Sequence, residues 1–266
     1  MKTHVRYLLG LMLAMCITIP VTHAAAAEKS SLAGGSYTDP ATGMEFVLVK
    51  GGCYQMGDTF GDGYQNEKPV HEVCVDDFYI GKFEVTQGQW KTVQGDNPSY
   101  FSNCGDNCPV EQVSWDDAQK FIRRMNRLTG KTYRLLTEAE WEYAARSGGK
   151  NEKYAGTSND SELGDYAWYN DNSGKQTHPV GQKRPNGLGI YDMSGNVWEW
   201  VQDIYSETAY SSQSRTNPIY TGSGTRRVRR GGGWIRDPGS VRAANRNDGA
   251  PDYRSSGQGI RLGRTP

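Results

Sequence analysis

Four cysteines follow the N-terminal stretch, Cys53, Cys74, Cys104 and Cys108, and a fifth, Cys16, lies within it. In an exported chain an even count reads as two disulfides. Three pairings are possible. Strand-like flanks favour Cys53–Cys74, and the short NCGDNCP segment favours Cys104–Cys108. Zinc is the competing use of these thiols, but the Cys-x3-Cys spacing occurs once and no His lies close by in sequence. His71 and His178 stand far apart, which suits hydrogen-bonded structural histidines better than a non-haem iron triad. Ser194 in MSGN has no evident paired base, and there is no G-x-S-x-G signature. Oxygen chemistry is better represented. In YDMSGNVWEW, Asp192 and Glu199 lie around a Gly195 turn and could serve Ca²⁺, which takes carboxylate and carbonyl oxygens. The same two residues also suit a turn cap at Asp192 and an arginine pair at Glu199.

The formal charge is balanced over 266 residues, but its distribution is uneven. From Arg215 onward there are eleven Arg, no Lys and three Asp. These arginines alternate with Gly, Asn and Asp instead of forming a block, so they read as partners of the acidic remainder within one domain. No nucleic-acid-binding motif is present, and no nucleic acid is expected as a partner.

The elements that must position these residues are short. MEFVLVKGGCYQMGD and VHEVCVDDFYIGKFEV alternate as strands, with a Gly/Asp/Asn-rich loop at 57–69. Thr86 starts a short helix, TQGQWKTV. Two stronger helices follow. Ser114 and Asp117 form a capping box before a stripe of Trp115, Ala118, Phe121, Ile122, Met125 and Leu128, and Gly130 ends it. Thr137 and Glu140 repeat the box for TEAEWEYAARSGG. After Gly148 periodicity fades into Gly, Asn, Asp, Ser, Tyr and Trp. Trp168, Trp198, Trp200 and Trp234 predict that this half is ordered, loop-dominated structure organised around aromatic side chains.

The N-terminus carries Lys2 and Arg6, an apolar run from Leu8 to Ile19, then Pro20 and Ala24–Ala27. This reads as a signal peptide over 1–27. A retained membrane helix needs about 20 apolar residues, and Met15 is a poor residue before a lipidated Cys16. The chain is therefore expected in the periplasm or secreted, with no stable membrane anchor after cleavage. Residues 28–43 are small and polar and read as a flexible lead-in; 44–264 form the domain.

RLLTEAEWEYAARSG (134–148), HPVGQKRPNGLGIYDMSGNVWEWVQD (178–203), RVRRGGGWIRDPGSVRAANRN (227–247) and GQGIRL (257–262) resemble the formylglycine-generating, or sulfatase-modifying-factor, family. KFEVTQGQW (82–90) and CPVEQVSW (108–115) fit in order. The family also includes ergothioneine-synthesis and pyoverdine-maturation domains, and ligand-binding variable proteins share its fold. The resemblance implies an α+β, C-type-lectin-like fold, loop-rich, with short strands and two main helices. It also implies calcium at Asp192, Gly195, Val197 and Glu199, the middle two through carbonyls. A second, weaker set falls at Asp165, Tyr166 and Asn172.

The family's copper oxidases hold Cu(I) with two cysteines after the corresponding GGS-Y motif. Here Arg236 stands about where the first belongs, Gly239 or Val241 lies near the second, and no cysteine follows Cys108. A guanidinium has no lone pair for a metal, so no copper is expected and formylglycine synthesis by that route is not expected. The segment matching the family's substrate groove nominates Trp234, Arg236, Asp237, Asn247, Asp248, Tyr253, Arg254 and Gln258 for ligand binding, whereas Arg242 and Arg246 suit ion pairs inside the fold. The expected function is a calcium-stabilised exported binding or accessory protein, acting on an unidentified exported protein or small molecule. The alternatives are an enzyme of the same family working without the cysteines, and a retroelement-diversified ligand-binding protein.

Overall fold

Apolar and polar side chains alternate through the first strands, which therefore bury one face each. The computed structural model describes Met1 and residues 35–266; apart from Met1, the expected signal segment, 1–27, lies outside the described residues. Strand β1 (Ser36–Thr38) is followed by β2 (Glu45–Val49) and β3 (Gly52–Met56), and then by β4 (His71–Val75) and β5 (Phe78–Gly81). Phe46, Val49, Tyr54, Met56, Val73 and Val75 turn inward. Residues 36–43 differ from the flexible lead-in expected of them. Ser36–Thr38 pairs antiparallel with Glu45–Val47, and Asp39 binds the following turn through Ala41 and Thr42. Backbone pairing on the edge of β2 orders a segment whose side chains carry little pattern.

Helix α1 (Gln87–Gln94) and helix α2 (Trp115–Thr129) precede β6 (Tyr133–Leu135) and α3 (Glu138–Ala145). All three helices begin in capping boxes, at Thr86/Gln89, Ser114/Asp117 and Thr137/Glu140, and Gly95 and Gly130 end the first two in the left-handed conformation. Helix α2 buries Ala118, Phe121, Ile122 and Met125, while Leu128, expected on the same stripe, is exposed in its last turn. Helix α3 is buried on every side, glutamates included.

The second half contributes a short α4 (Leu163–Tyr166), β7 (Trp198–Ile204), β8 (Arg227–Arg230), β9 (Asn247–Gly249), β10 (Gln258–Ile260) and β11 (Leu262–Arg264). Strand β11 enters the first sheet between β5 and β6, giving the order β1-β2-β5-β11-β6. The second sheet runs β10-β7-β8-β9, with β10 parallel to β7. Between α4 and β7 the chain is irregular and is held by close backbone approaches. Gly195 is the tightest of these: its φ is +90°, and a Cβ there would sit 2.2 Å from the Trp168 carbonyl oxygen.

Cys53 and Cys74 face each other across β3 and β4 and are bonded. Cys104 is bonded to Cys108. Both bonds follow the pairing that the flanking segments favour. Among the described residues no helix is long and apolar enough to cross a membrane.

Candidate functional site

The loop before β7 brings acidic side chains into the core. Asp192 adopts φ +57° and accepts the Gly181 N–H at 2.7 Å through Oδ2. Its Oδ1 is buried without a hydrogen-bond partner among the described residues. Glu199, at the start of β7, accepts Trp141 Nε1 at 2.6 Å and Arg261 Nη2 at 2.7 Å. Glu84, part of KFEVTQGQW but not nominated as a site residue, lies in the same region. It accepts Asn196 Nδ2 at 2.7 Å and the Val197 N–H at 3.0 Å. Burial pushes the Asp192 carboxyl up to about 6. Burial, and then repulsion from Asp192 and Glu199, pushes Glu84 well above the usual carboxylate range. One guanidinium, Arg261, thus stands among three buried carboxylates.

Asp165 pairs with exposed Arg184 at 3.3 Å. Asn172 uses both ends of its amide inside its own loop, donating to the Ala167 carbonyl and accepting from the Tyr169 N–H, each at 2.9 Å. The Tyr166 ring packs on Gly156. The second oxygen set is therefore spent on local structure.

Strands β7, β8, β9 and β10 place the other candidate face. Arg229 on β8 points between Trp198 and Tyr253, its guanidinium 5.1 and 5.2 Å from their ring centres. Its N–H groups reach Asn247 Oδ1 at 2.9 Å and Gln258 Oε1 at 3.4 Å. Arg236 approaches the Trp198 ring at 5.9 Å. Trp234 donates Nε1 to the Ser256 carbonyl at 2.9 Å and sits edge-on to Phe101. Five of the nominated residues, Trp234, Arg236, Asn247, Tyr253 and Gln258, thus share this region. The other three have local roles: Asp237 caps the Pro238–Val241 turn, Asp248 pairs with Arg226, and Arg254 binds Asp117 at the start of α2.

Sequence reasoning missed Arg229 and Trp198 as members of this face. The available signal was strand alternation in RVRRGGGW, which sends Arg229 and Arg230 to opposite faces. A cavity of about 710 Å³ lies beside it, lined among others by Tyr64, Asn66, Tyr205, Ser240, Arg246 and Asn247. Asn247 belongs to both.

The sulfatase-modifying factor enzyme 1-like domain model matches residues 33–266. The chain belongs to that family. It is similar to the chaperone protein LppX of Paenibacillus barcinonensis, 35% identical over 72% of this chain and 79% of LppX. It is also similar to the formylglycine-generating enzyme of Streptomyces coelicolor, 29% identical over 93% of this chain and 96% of the enzyme. Among solved structures it resembles Treponema denticola variable protein 1, with a TM-score of 0.75, 30% identity, and coverage of 87% of this chain and 98% of that one. The expected loop-rich α+β fold is the fold observed.

In this sulfatase-modifying-factor domain the buried arginines hold the structure together. Arg246 binds Glu138 at 2.6 Å, Arg230 binds Glu142 at 2.5 Å, Arg146 binds Glu142 at 2.9 Å and Arg242 binds Glu67 at 2.7 Å. This explains why α3 can bury its glutamates. His71 is hydrogen-bonded to the Pro69 carbonyl and Gln213, and His178 to the Ser173 carbonyl, while His178 stacks on Trp168. Ser194 donates to the Val241 carbonyl and accepts from the Ala155 N–H, so its hydroxyl is a structural link.

The calcium set meets a mixed test. The unpartnered Asp192 Oδ1 and the surplus of buried carboxylate fit a hard cation. Glu199 is already held by Arg261 and Trp141, and among the described residues no three His, Cys, Asp or Glu side chains converge as a metal site. Any calcium here would lean on Asp192 and on the backbone carbonyls of Gly195 and Val197, with Glu199 shared.

Proposed function

We propose that this chain is an exported binding or accessory protein of the sulfatase-modifying-factor family, stabilised by calcium and two disulfides, and that it recognises an exported protein or small molecule through its C-terminal loops. One observation carries the proposal. Arg236 occupies the position about where the family's copper oxidases place their first cysteine, and the cysteines of the described domain are committed to Cys53–Cys74 and Cys104–Cys108. A guanidinium beside Trp198 suits recognition and offers no thiolate to Cu(I). The similarity to a chaperone supports an accessory role toward another protein.

Two measurements on the natively exported protein test this. Elemental analysis should find calcium without stoichiometric copper or iron. A sulfatase-derived cysteine peptide incubated with the protein and copper should yield no aldehyde. Aldehyde formation would overturn the proposal.

A second reading, an enzyme of the family acting by a route without cysteines, is favoured by the near full-length similarity to a formylglycine-generating enzyme. Stoichiometric iron together with turnover of an exported metabolite, found by comparing a deletion strain with its parent, would establish it. The likeness to a variable protein favours a third, a retroelement-diversified receptor. A neighbouring template repeat and reverse transcriptase gene would mark that one.

A further inference from the structure

Buried arginines in this chain meet carboxylates. Arg146, Arg230, Arg242, Arg246 and Arg261 each pair with a buried glutamate. Buried Arg229, with half-buried Arg236 beside it, breaks that pattern. Arg229 is 8% exposed and hydrogen-bonds the neutral amides of Asn247 and Gln258. Asp248, the carboxylate acting on it through space, is held by Arg226. Among the described residues the Arg236 side chain forms no ion pair, and its Nε is buried without a partner. Both guanidiniums flank one indole, that of Trp198, which is 3% exposed and whose Nε1 also has no partner.

Two like charges placed together in a partly dry setting repel, and each unmet N–H forfeits the hydrogen bonds that water gave it. A fold that neutralises its other buried arginines leaves buried Arg229 and the half-buried Arg236 beside it for something outside the chain to compensate. The unmet groups are all donors, so a neutral or cationic ligand leaves the charge unanswered, and a metal finds no lone pair. An oxyanion answers both demands, since guanidinium groups bind planar oxygens in pairs.

We infer that Arg229, Arg236 and Trp198 form a receptor for an oxyanion group on the ligand, a carboxylate or a phosphate. The inference rests on the proposal that the C-terminal loops form the recognition face, and it specifies the chemistry recognised there. Tyr253 completes the wall. Burial alone would raise its phenol, but Ser255, Arg229 and Arg236 hold it below its ordinary value. The neighbouring cavity, which shares Asn247, has room for the rest of a ligand. Where the copper oxidases present a soft metal ligand, this chain presents a fixed positive charge.

The test uses ¹⁵N-labelled mature protein and the indole N–H resonance of Trp198, assigned with the Trp198→Phe variant. Sodium acetate and inorganic phosphate are titrated in separate arms against sodium chloride at constant ionic strength. A saturable shift in one arm is expected, and the arm that saturates at the lower concentration identifies the oxyanion. Arg236→Gln should weaken it by roughly tenfold or more, the usual worth of a charge-assisted hydrogen bond, and Arg236→Lys should restore part of it. Arg236 is only half-buried, so Arg236→Gln is expected to keep the native spectrum. No saturable shift in either arm, or an equal shift in Arg236→Gln, overturns the inference. Failure of the broader proposal would appear elsewhere, as aldehyde formation or iron-dependent turnover, and would leave this titration readable.

Discussion

Arg261 closes over Glu199 inside the core, with Nη2 2.7 Å from Oε1 and both side chains nearly inaccessible. The same guanidinium reaches the Gly81 and Tyr191 carbonyls, so it joins β5, the loop before β7 and the last strands. Arg261→Met removes the cation and leaves Glu84, Asp192 and Glu199 without the positive charge they share. Breaking one side of a buried pair costs about 3–5 kcal/mol, and urea unfolding should show a loss of that size. Adding Glu199→Gln should return part of it, because the stranded charge is then gone.

Asp192→Asn tests the proposed cation separately from Arg261. Calcium restored to chelator-treated protein should raise Tm by about 5–10 °C at saturating concentration, the size expected for a ligand at roughly 100 times its Kd acting on a domain of this length. The variant should lose that rise. Differential scanning calorimetry with and without calcium reads both. Equal rises in the two proteins would remove Asp192 from the site.

Glu111 gives a pH signature. Its Oε1 accepts the Phe101 N–H at 2.7 Å, and Oε2 is buried without a partner among the described residues. Burial lifts its carboxyl to about 7, against the opposing pull of the Phe101 and Tyr100 amides. An acid with a raised folded pKa binds a proton more tightly when folded. Its contribution therefore falls as pH rises from the ordinary value of 4.5 to about 7, and it stays unfavourable above that. The full penalty is about 3 kcal/mol from this shift. Glu111→Gln should raise Tm at pH 8, and the advantage should vanish near pH 4.5.

The two disulfides should differ in weight. Cys53–Cys74 closes a separation of 21 residues and Cys104–Cys108 one of 4. By loop-closure entropy, Cys53→Ser with Cys74→Ser should cost about 3 kcal/mol, and Cys104→Ser with Cys108→Ser about 2 kcal/mol. Urea denaturation of the two double variants checks the order; a reversed order would show that native strain dominates.

Much of the fold is legible in local pattern. Ser114, Thr137 and their partners three residues on announce α2 and α3, because a capping box is a local hydrogen-bonding device. Alternation in EFVLV and HEVCV announces strands, and the facing positions of Cys53 and Cys74 follow from their pairing. The pattern was silent about β1, where backbone pairing with β2 and the packing of the Tyr37 ring on Phe46 and Tyr79 supply the order. It also overextended the apolar stripe of α2, because Leu128 lies past the end of the core contact.

The candidate site was legible only in part. Arg236 could be singled out, since a guanidinium near a cysteine position changes the chemistry open to the pocket. Arg229 and Trp198 could not, because a strand residue shows its face only once its neighbours β9 and β10 are in place. Glu84 and Arg261 lie in KFEVT and GIRL, far apart along the chain, and meet around Asp192 and Glu199 only after β11 inserts beside β5.

The sequence by itself determined what is chemically available: five cysteines ahead of residue 109, four of them in the domain, none after it, and an arginine-rich last quarter. It determined the local elements too, since caps, alternation and turn glycines act over a few residues. Only the tertiary structure decided which arginines are neutralised and which are left with unmet charge. That outcome depends on whether a carboxylate from a distant segment arrives within about 4 Å, because in a dry interior an ion pair acts strongly at contact and gives little return on its desolvation when apart.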